Sequence, residues 1–168
     1  MLNYKVYGDQ QPVLLILHGL FGSLDNWQSI AQQFSSDFTV YILDQRNHGK
    51  SPHFDEHNYS AMAADLLAFL DHFDLQKIHL LGHSMGGKTV MQFAVDYPDR
   101  VDKLIVADIA PKYYPPHHQQ ILKALSSVDF SIHNSRGEVQ KVIAENIQEL
   151  GVQQFLMKGL SAAFTVNE

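Results

Sequence analysis

The sequence predicts an α/β fold with a mostly parallel sheet flanked by helices. Short apolar, β-branched runs alternate along the chain with longer amphipathic segments, as in strands joined by helical crossovers. Four of the five runs are almost continuously apolar, which is typical of strands covered on both faces of a parallel sheet. Because such crossovers are right-handed, the helices are expected to sandwich the sheet.

Five runs are predicted to be strands, and three segments between them are predicted to be helices. The strands are Tyr4–Tyr7, Val13–Leu17, Phe38–Leu43, Ile78–Leu81 and Leu104–Ala107. The helices are Trp27–Phe34, Ser60–Phe73 and Met85–Tyr97. Pro98 ends the third helix, because proline disfavours the helical conformation in the residue before it.

The pattern changes after Pro111. A proline-rich bend follows, and the remaining segments are helical in pattern with no further strand: Ile121–Leu125, Val139–Leu150 and Val152–Leu160. We therefore expect residues 1–111 to form the N-terminal part of the sheet core and residues 112–168 to form a helical cap. We also expect the C-terminal strands of the sheet to be missing from these residues.

Composition excludes several classes of function. The chain has 168 residues, of which 45% are hydrophobic and 18% charged, so it can bury the core of one globular domain. A net charge of −6 without a basic run argues against nucleic acid and anionic membrane surfaces as partners. The absence of cysteine excludes disulfides, thiolate metal sites and a cysteine nucleophile. The ten histidines are scattered, so no metal site is predicted.

The N-terminus carries no visible signal peptide, and the apolar run Val13–Leu17 is too short to span a bilayer. Together with the lack of cysteine, these features favour a cytoplasmic protein that does not insert into membranes.

A Gly-x-Ser-x-Gly motif occupies Gly82–Gly86, directly after the predicted strand Ile78–Leu81 and directly before a helix. A sharp turn from strand to helix forces Ser84 into a strained backbone conformation, and the flanking glycines make room for it. The hydroxyl then stands open above the carboxyl edge of the sheet, beside a helix N-terminus that favours negative charge. This context predicts that Ser84 is a catalytic nucleophile rather than a serine that only caps the helix.

A second loop, His18–Gly22, follows the predicted strand Val13–Leu17 directly. Acyl transfer to a serine needs two backbone N–H donors that face the carbonyl oxygen as it becomes tetrahedral. Met85, the residue after the nucleophile, is predicted to supply one donor of this oxyanion hole. The loop from the neighbouring strand must supply the other, for which Leu20 is our prediction and Phe21 the near alternative.

A third loop, Asp44–Pro52, follows the predicted strand Phe38–Leu43 at the same edge of the sheet. Its Gly, Ser and Pro residues predict a tight, ordered turn with a structural role, in which Asp44 and Arg46 pin the neighbouring loops. His48 precedes the nucleophile in the chain and lies at a different strand end, so it is not predicted to be the catalytic base.

Asp108 ends the predicted strand Leu104–Ala107, which follows the nucleophile helix. A catalytic histidine needs an acid that holds the correct tautomer and stabilises the imidazolium. Asp108 lies at this strand end between apolar neighbours in the sequence, and its carboxylate is predicted to be that acid. The alternative is an aspartate that only caps the bend before Pro111.

Four segments in this order resemble the YbfF-type esterases, a bacterial branch of the α/β-hydrolase superfamily. The resemblance extends over most of the chain up to Pro111 and more loosely over the helices beyond. The four segments are Leu17–Asn26, Asp44–Gly49, Gly82–Lys88 and Ala107–Pro111.

The resemblance implies an α/β-hydrolase fold and hydrolysis of esters or thioesters with short to medium acyl chains, without a cofactor. It favours Asp108 as the acid of the triad. We expect Phe21 and His83, which lie beside the oxyanion donor and the nucleophile, to contact a small-molecule substrate.

The chain departs from this family at its end. Such enzymes carry the catalytic histidine near the C-terminus, on a loop after the last strands, in the order Ser, acid, His. The histidines after Asp108 are His117, His118 and His133, all on predicted cap segments rather than at a sheet edge. None of them is predicted to be the base.

Two interpretations of function follow. The first is a carboxylesterase-type serine hydrolase that works through an acyl-enzyme, with a histidine outside these residues as base. The alternative is a truncated, catalytically incompetent hydrolase-fold fragment that lacks its base. The sequence pattern decides neither the acyl and alcohol groups of the substrate nor the oligomeric state.

Overall fold

The computed structural model describes residues 1–115 and 118–159, and it contains one five-stranded sheet in the order β1-β3-β2-β4-β5. Strand β1 runs antiparallel to β3, and all other neighbours are parallel. The predicted α/β class with a mostly parallel sheet is therefore confirmed. The strands are β1 (Tyr4–Tyr7), β2 (Val13–Leu17), β3 (Thr39–Leu43), β4 (Ile78–His83) and β5 (Val101–Ala107).

Six α-helices occur in the described residues, and the first three alternate with the strands. Short 3₁₀ turns at Leu24–Asn26 and Pro98–Arg100 precede α1 and β5. The α-helices are α1 (Gln28–Phe34), α2 (Tyr59–His72), α3 (Met85–Asp96), α4 (Gln119–Ser126), α5 (Arg136–Asn146) and α6 (Leu150–Gly159).

The central strand β2 builds a core on each face of the sheet. Its alternate residues Val13, Leu15 and Leu17 belong to the larger core, which also contains buried side chains of α2 and α3. Leu14 and Ile16 belong to the opposite core, which contains the buried Ala31 of α1. Successive side chains of a strand point to opposite faces, so a fully apolar strand requires apolar cover on both sides.

Strand register places the functional loops at one edge. Leu17 of β2 pairs with Leu43 of β3 and with Gly82 of β4. His83 of β4 in turn pairs with Ala107 of β5. The loops that follow these four parallel strands therefore begin side by side at the carboxyl end of the sheet.

Strand β5 does not have the burial that its sequence predicts. Leu104 and Ile105 were expected to be covered on both faces, but they are 40% and 48% exposed. Strand β5 lies at the end of the strand order, and within residues 1–115 and 118–159 no strand pairs with its outer edge. An apolar sequence indicates that burial of the strand is favourable, but its actual burial depends on which elements pack against it.

The helix predicted at Val139–Leu150 is also different in the structure. Helix α5 begins three residues earlier, at a capping box formed by Ser135 and Glu138, and ends at Asn146. Ile147 is extended (φ −123°, ψ 116°) but buried, and its carbonyl oxygen accepts a 2.7 Å hydrogen bond from the Gln153 side chain. The apolar spacing continues through this break, so periodicity alone did not reveal it.

The chain divides into two compact units, Met1–Pro111 and Lys112–Glu168. The first unit contains the sheet with α1, α2 and α3, and the second contains α4, α5 and α6. The role of the second unit as a cap stays a prediction. No helix in the described part of the chain is both long and apolar enough to cross a membrane.

Two valines of α3 allow a matched test of this packing. Val90 is fully buried in the larger core, whereas Val95 on the same helix is 77% exposed. We expect Val90→Ala to lower the free energy of unfolding by about 2 kcal/mol, from two lost methyl groups and the cavity they leave. Val95→Ala should change it by no more than about 0.5 kcal/mol. Urea unfolding with unchanged m-values measures both, and equal losses would contradict the described core.

Candidate active site

Ser84 is the single residue between strand β4 and helix α3, and its backbone has φ 51° and ψ −113°. A non-glycine residue in this region stores about 1–3 kcal/mol of strain and is held there only by its surroundings. The Ser84 N–H donates a 2.9 Å hydrogen bond to the carbonyl of Ala107, which fixes the turn to the end of β5.

The flanking glycines are required by close backbone approach. A β-carbon on Gly82 would collide with the carbonyl oxygen of Gly86. A β-carbon on Gly86 would lie 2.6 Å from the carbonyl oxygens of both Leu17 and His18. The turn from β4 into α3 therefore packs backbone against backbone on itself and on the end of β2. The sequence motif predicts this geometry, and the structure supplies the contacts that require it.

Met85 is the first residue of α3 and is buried. The N–H of a first helical residue has no partner within its own helix, and it lies at the positive end of the helix dipole. Met85 follows Ser84 directly, so this helix N-terminus begins beside Ser84.

The loop after β2 forms a tight turn next to Ser84. The Gly22 N–H donates to the Gly19 carbonyl at 3.0 Å, and Phe21 has φ 60°. Positive φ at the third residue is the feature of a type II turn, which normally places glycine there. A β-carbon on Gly19 would lie 3.3 Å from the Ser84 β-carbon and 2.9 Å from Nδ1 of His83, so the turn borders Ser84.

The two candidate donors of this turn, the Leu20 and Phe21 N–H groups, differ in whether they already have a hydrogen-bond acceptor. The Phe21 N–H donates to Nε2 of His48 at 3.3 Å. For the Leu20 N–H, no acceptor occurs among the described residues. This difference favours Leu20 over Phe21 as an oxyanion donor, and the assignment of Leu20 and Met85 stays a prediction.

Asp108 follows β5 directly and, like Ser84, has a positive φ, here 55°. Its side chain is 87% exposed, and its Oδ2 lies 3.7 Å from Nε2 of His83. Because His83 pairs with Ala107 in register, Ser84 and Asp108 leave neighbouring strands side by side. The Asp108 carboxylate is therefore accessible on the strand next to that of Ser84, and its role as the triad acid stays a prediction.

His18 is buried with both ring nitrogens engaged. Nδ1 donates to the Gly19 carbonyl at 2.8 Å, and Nε2 accepts the Gln45 N–H at 3.0 Å. Burial is the largest cause that lowers the pKa of His18, to about 4. The ring is therefore neutral at physiological pH and shapes the turn rather than acting as a base.

Gln45 is a site residue that the sequence did not single out. Its side-chain NH₂ donates to the His18 carbonyl at 2.7 Å, and its Oε1 accepts the Thr89 hydroxyl at 2.8 Å. One buried amide thus joins the ends of β2 and β3 to helix α3. Gln45 lies two residues after the end of β3 and within the segment Asp44–Gly49, but neither position distinguishes it from an ordinary loop residue.

Asp44 organises the loop after β3 by accepting backbone and side-chain donors. Oδ1 accepts the Leu24 N–H at 2.7 Å, and Oδ2 accepts the Lys50 N–H at 2.9 Å and the Asn3 amide at 2.7 Å. A buried carboxylate is tolerable when its lone pairs are used in this way.

Arg46 joins the same loop to α2 through a two-pronged ion pair with Asp65, at 2.6 and 2.8 Å. A third guanidinium hydrogen bond goes to the Glu56 carbonyl at 2.9 Å. The paired geometry is specific to arginine and fixes the loop against the helix.

Two of the three histidines after Asp108, His118 and His133, lie in the described part of the second unit, and neither follows a strand. His117 lies outside the described residues. His118 is the N-cap of α4, and Nδ1 of His133 accepts the Asp129 N–H at 3.0 Å. Within the described ranges, no three His, Asp or Glu side chains come together as potential metal ligands.

Known proteins resemble this chain in sequence and structure. A family model described as the alpha/beta hydrolase fold matches residues 12–157. Esterase YbfF of Escherichia coli is 41% identical over 151 residues, which cover 89% of this chain and 59% of that protein. The sn-1-specific diacylglycerol lipase ABHD11 of Mus musculus is 36% identical over 157 residues, which cover 89% of this chain and 51% of that protein.

A solved structure named as a marine microorganism esterase has a TM-score of 0.91 and 44% identity, covering 94% of this chain and 62% of that one. The chain therefore spans about half to six tenths of the length of these three relatives.

The buried His18 predicts a defined dependence of stability on pH. The unfolded chain protonates this ring near its ordinary pKa of 6.5, whereas the folded protein does so only near pH 4. The unfolded state therefore binds the extra proton between these values, and the free energy of unfolding falls as the pH drops from 6.5 to 4. The contribution is about 3 kcal/mol at about 1.4 kcal/mol per pKa unit.

We expect His18→Asn, which keeps an acceptor but does not titrate, to lack this contribution. Urea unfolding of both proteins across this pH range measures the difference between the two slopes. Parallel pH dependence would show that His18 titrates normally in the folded state.

Proposed function

The chain belongs to the α/β-hydrolase family, and on that premise we propose that it forms the nucleophile and oxyanion part of a carboxylesterase-type serine hydrolase. The observation that carries the proposal is the backbone of Ser84, held at positive φ between β4 and the first residue of α3. Relatives named as esterases and as a lipase support an ester substrate. We propose small esters or thioesters with short to medium acyl chains.

The proposed reaction begins when Ser84 Oγ attacks the acyl carbonyl. A histidine accepts the hydroxyl proton, and the carboxylate of Asp108 orients that histidine and stabilises its imidazolium form. The carbonyl oxygen becomes an oxyanion that accepts hydrogen bonds from the Leu20 and Met85 N–H groups. The imidazolium then protonates the leaving alcohol or thiol as the bond to the acyl carbon breaks.

Water completes the cycle. The same histidine takes a proton from water, which attacks the acyl-enzyme and releases the acid, and the proton returns to Ser84 Oγ. We expect a histidine other than these to serve as base, since His18 is fully engaged and the described histidines of the second unit, His118 and His133, do not lie at a strand end. Phe21, on the turn that borders Ser84, and His83, which precedes Ser84 in the chain, are the proposed contacts for the substrate.

The alternative, a catalytically incompetent fragment, is favoured by one observation: the exposed apolar residues Leu104 and Ile105 on β5. Removing strands from a sheet exposes an edge and uncovers core residues. Turnover of a para-nitrophenyl ester by residues 1–168 alone, compared with the protein in its natural length, separates the two interpretations. Turnover by the short chain that depends on Ser84 would exclude the fragment interpretation.

Ser84 should be the residue labelled by a fluorophosphonate probe in the protein of natural length. Ser84→Ala should abolish labelling without changing the circular dichroism spectrum, because only the hydroxyl is removed. Ser29→Ala, at an exposed serine of α1, is the matched control and should label as the wild type does. Mass spectrometry of the labelled peptide identifies the site, and labelling that survives Ser84→Ala would exclude the nucleophile assignment.

Asp108→Asn should lower kcat by about 10³–10⁴-fold with little change in KM, because the substitution disturbs the tautomer of the base and not substrate binding. Asp99→Asn, at an exposed aspartate before β5, serves as the control and should leave both constants unchanged. Steady-state kinetics with para-nitrophenyl acetate measures both. Wild-type kcat in Asp108→Asn would place the acid elsewhere in the protein.

A further inference from the structure

His48, on the loop after β3, contacts the turn Gly19–Gly22, which carries the proposed oxyanion donor Leu20. Its Nε2 accepts the Phe21 N–H at 3.3 Å, and its Nδ1 lies 2.9 Å from the Arg46 carbonyl oxygen. A carbonyl can only accept, so Nδ1 must carry the proton of this imidazole. Nε2 is then free of hydrogen and can accept from Phe21. The pair of contacts thus defines one tautomer and one charge state, the neutral ring.

The hydrogen bond to His48 holds Phe21, the residue of the turn with a positive φ. Phe21 has φ 60° at a position where glycine is usual, and its β-carbon makes that conformation unfavourable. Rotation of the peptide between Leu20 and Phe21 would relieve the strain and exchange the directions of its N–H and C=O groups. The hydrogen bond from the Phe21 N–H to His48 opposes this rotation.

Protonation would reverse the preference. An imidazolium carries hydrogen on both nitrogens and cannot accept from the Phe21 N–H. The rotated peptide would instead present the Leu20 carbonyl to Nε2–H. The turn would then populate two conformations that differ in ψ of Leu20 and φ of Phe21, and the Leu20 backbone would no longer hold its own N–H, which lies in the preceding peptide, in one position beside Ser84.

We propose that His48 is a positioning residue for the oxyanion hole: its neutral ring holds the Leu20–Phe21 peptide in the productive orientation, and its protonation releases that peptide. The proposal rests on the proposed function, because it assigns His48 a role through the Leu20 donor. It adds a second ionisation on the acid side of the activity profile, beside that of the catalytic base.

The surroundings of His48 favour the neutral ring. Burial is the largest cause that lowers its pKa below 6.5, and the Arg46 carbonyl opposes this shift. The His18 ring lies 5.1 Å away and is itself buried and neutral, and the His57 ring lies 5.8 Å away. The positive form of His57 or His53 would lower the pKa of His48 further, and Asp44 raises it.

Two variants separate the hydrogen bond from the titration. His48→Gln keeps an acceptor for the Phe21 N–H but does not titrate, whereas His48→Leu keeps the approximate volume without an acceptor. His53→Leu, an exposed histidine on the same loop, is the matched control. Each is measured in the protein of natural length, with para-nitrophenyl acetate and from pH 4 to 8 at the isosbestic wavelength of nitrophenol.

We expect His48→Leu to lower kcat at pH 8 by about 10–100-fold with KM within about threefold, since oxyanion contacts act mainly in the transition state. His48→Gln should keep kcat within about threefold of the wild type. The acid limb of log kcat should be steeper than one log unit per pH unit in the wild type and in His53→Leu over the pH range in which His48 gains its proton, and it should keep a slope of one in His48→Gln.

A wild-type kcat in a folded His48→Leu, or an acid limb in His48→Gln as steep as that of the wild type, would overturn the proposal. If His48→Leu does not fold, the slope of His48→Gln decides alone. Turnover that survives Ser84→Ala would overturn the proposed function together with this role. Loss of turnover in Ser84→Ala with wild-type behaviour of both His48 variants would overturn the role of His48 only.

Discussion

Ser84 has its positive φ because the chain turns from β4 into α3 within one residue, where Gly82 and Gly86 leave no space for side chains. The backbone of this turn packs on the end of β2, so Ser84 and the loop after β2 are brought together by the same contact. Strain at Ser84 is sustained by the surrounding sheet and helix rather than by local preference. The remaining site residues are arranged around this close approach.

A network of buried polar groups holds the loops at the carboxyl edge of the sheet. His18 and Gln45 exchange hydrogen bonds across the ends of β2 and β3, and Thr89 of α3 completes the connection. Asp44 accepts three donors from three separate segments of the chain. Buried polar networks of this kind rigidify a structure when each member is satisfied. The neutral state of His18 is part of the same arrangement, because a charged ring could not accept the Gln45 N–H.

The fold was predictable where the physical signal is local. Apolar strand runs, amphipathic helix spacing and the proline after α3 predicted the elements of the sheet core to within three residues. The signal failed at α5, where apolar spacing continues through a break held by the Gln153 amide. It also failed for the burial of β5, because apolar composition does not state whether another element covers a strand. Both failures concern contacts between residues that are distant in the chain or on different elements.

The sequence by itself determined the α/β class, the succession of strand, turn and helix around Gly82–Gly86, and the family to which the chain belongs. It did so because strand runs and glycine spacing are local requirements of backbone geometry. Only the tertiary structure decided that the Phe21 N–H is engaged by His48 and that Gln45 joins three elements. Those contacts depend on the register of the parallel strands. The register brings together residues that are 27 and 44 positions apart in the chain, and such pairs leave no periodic pattern in the sequence.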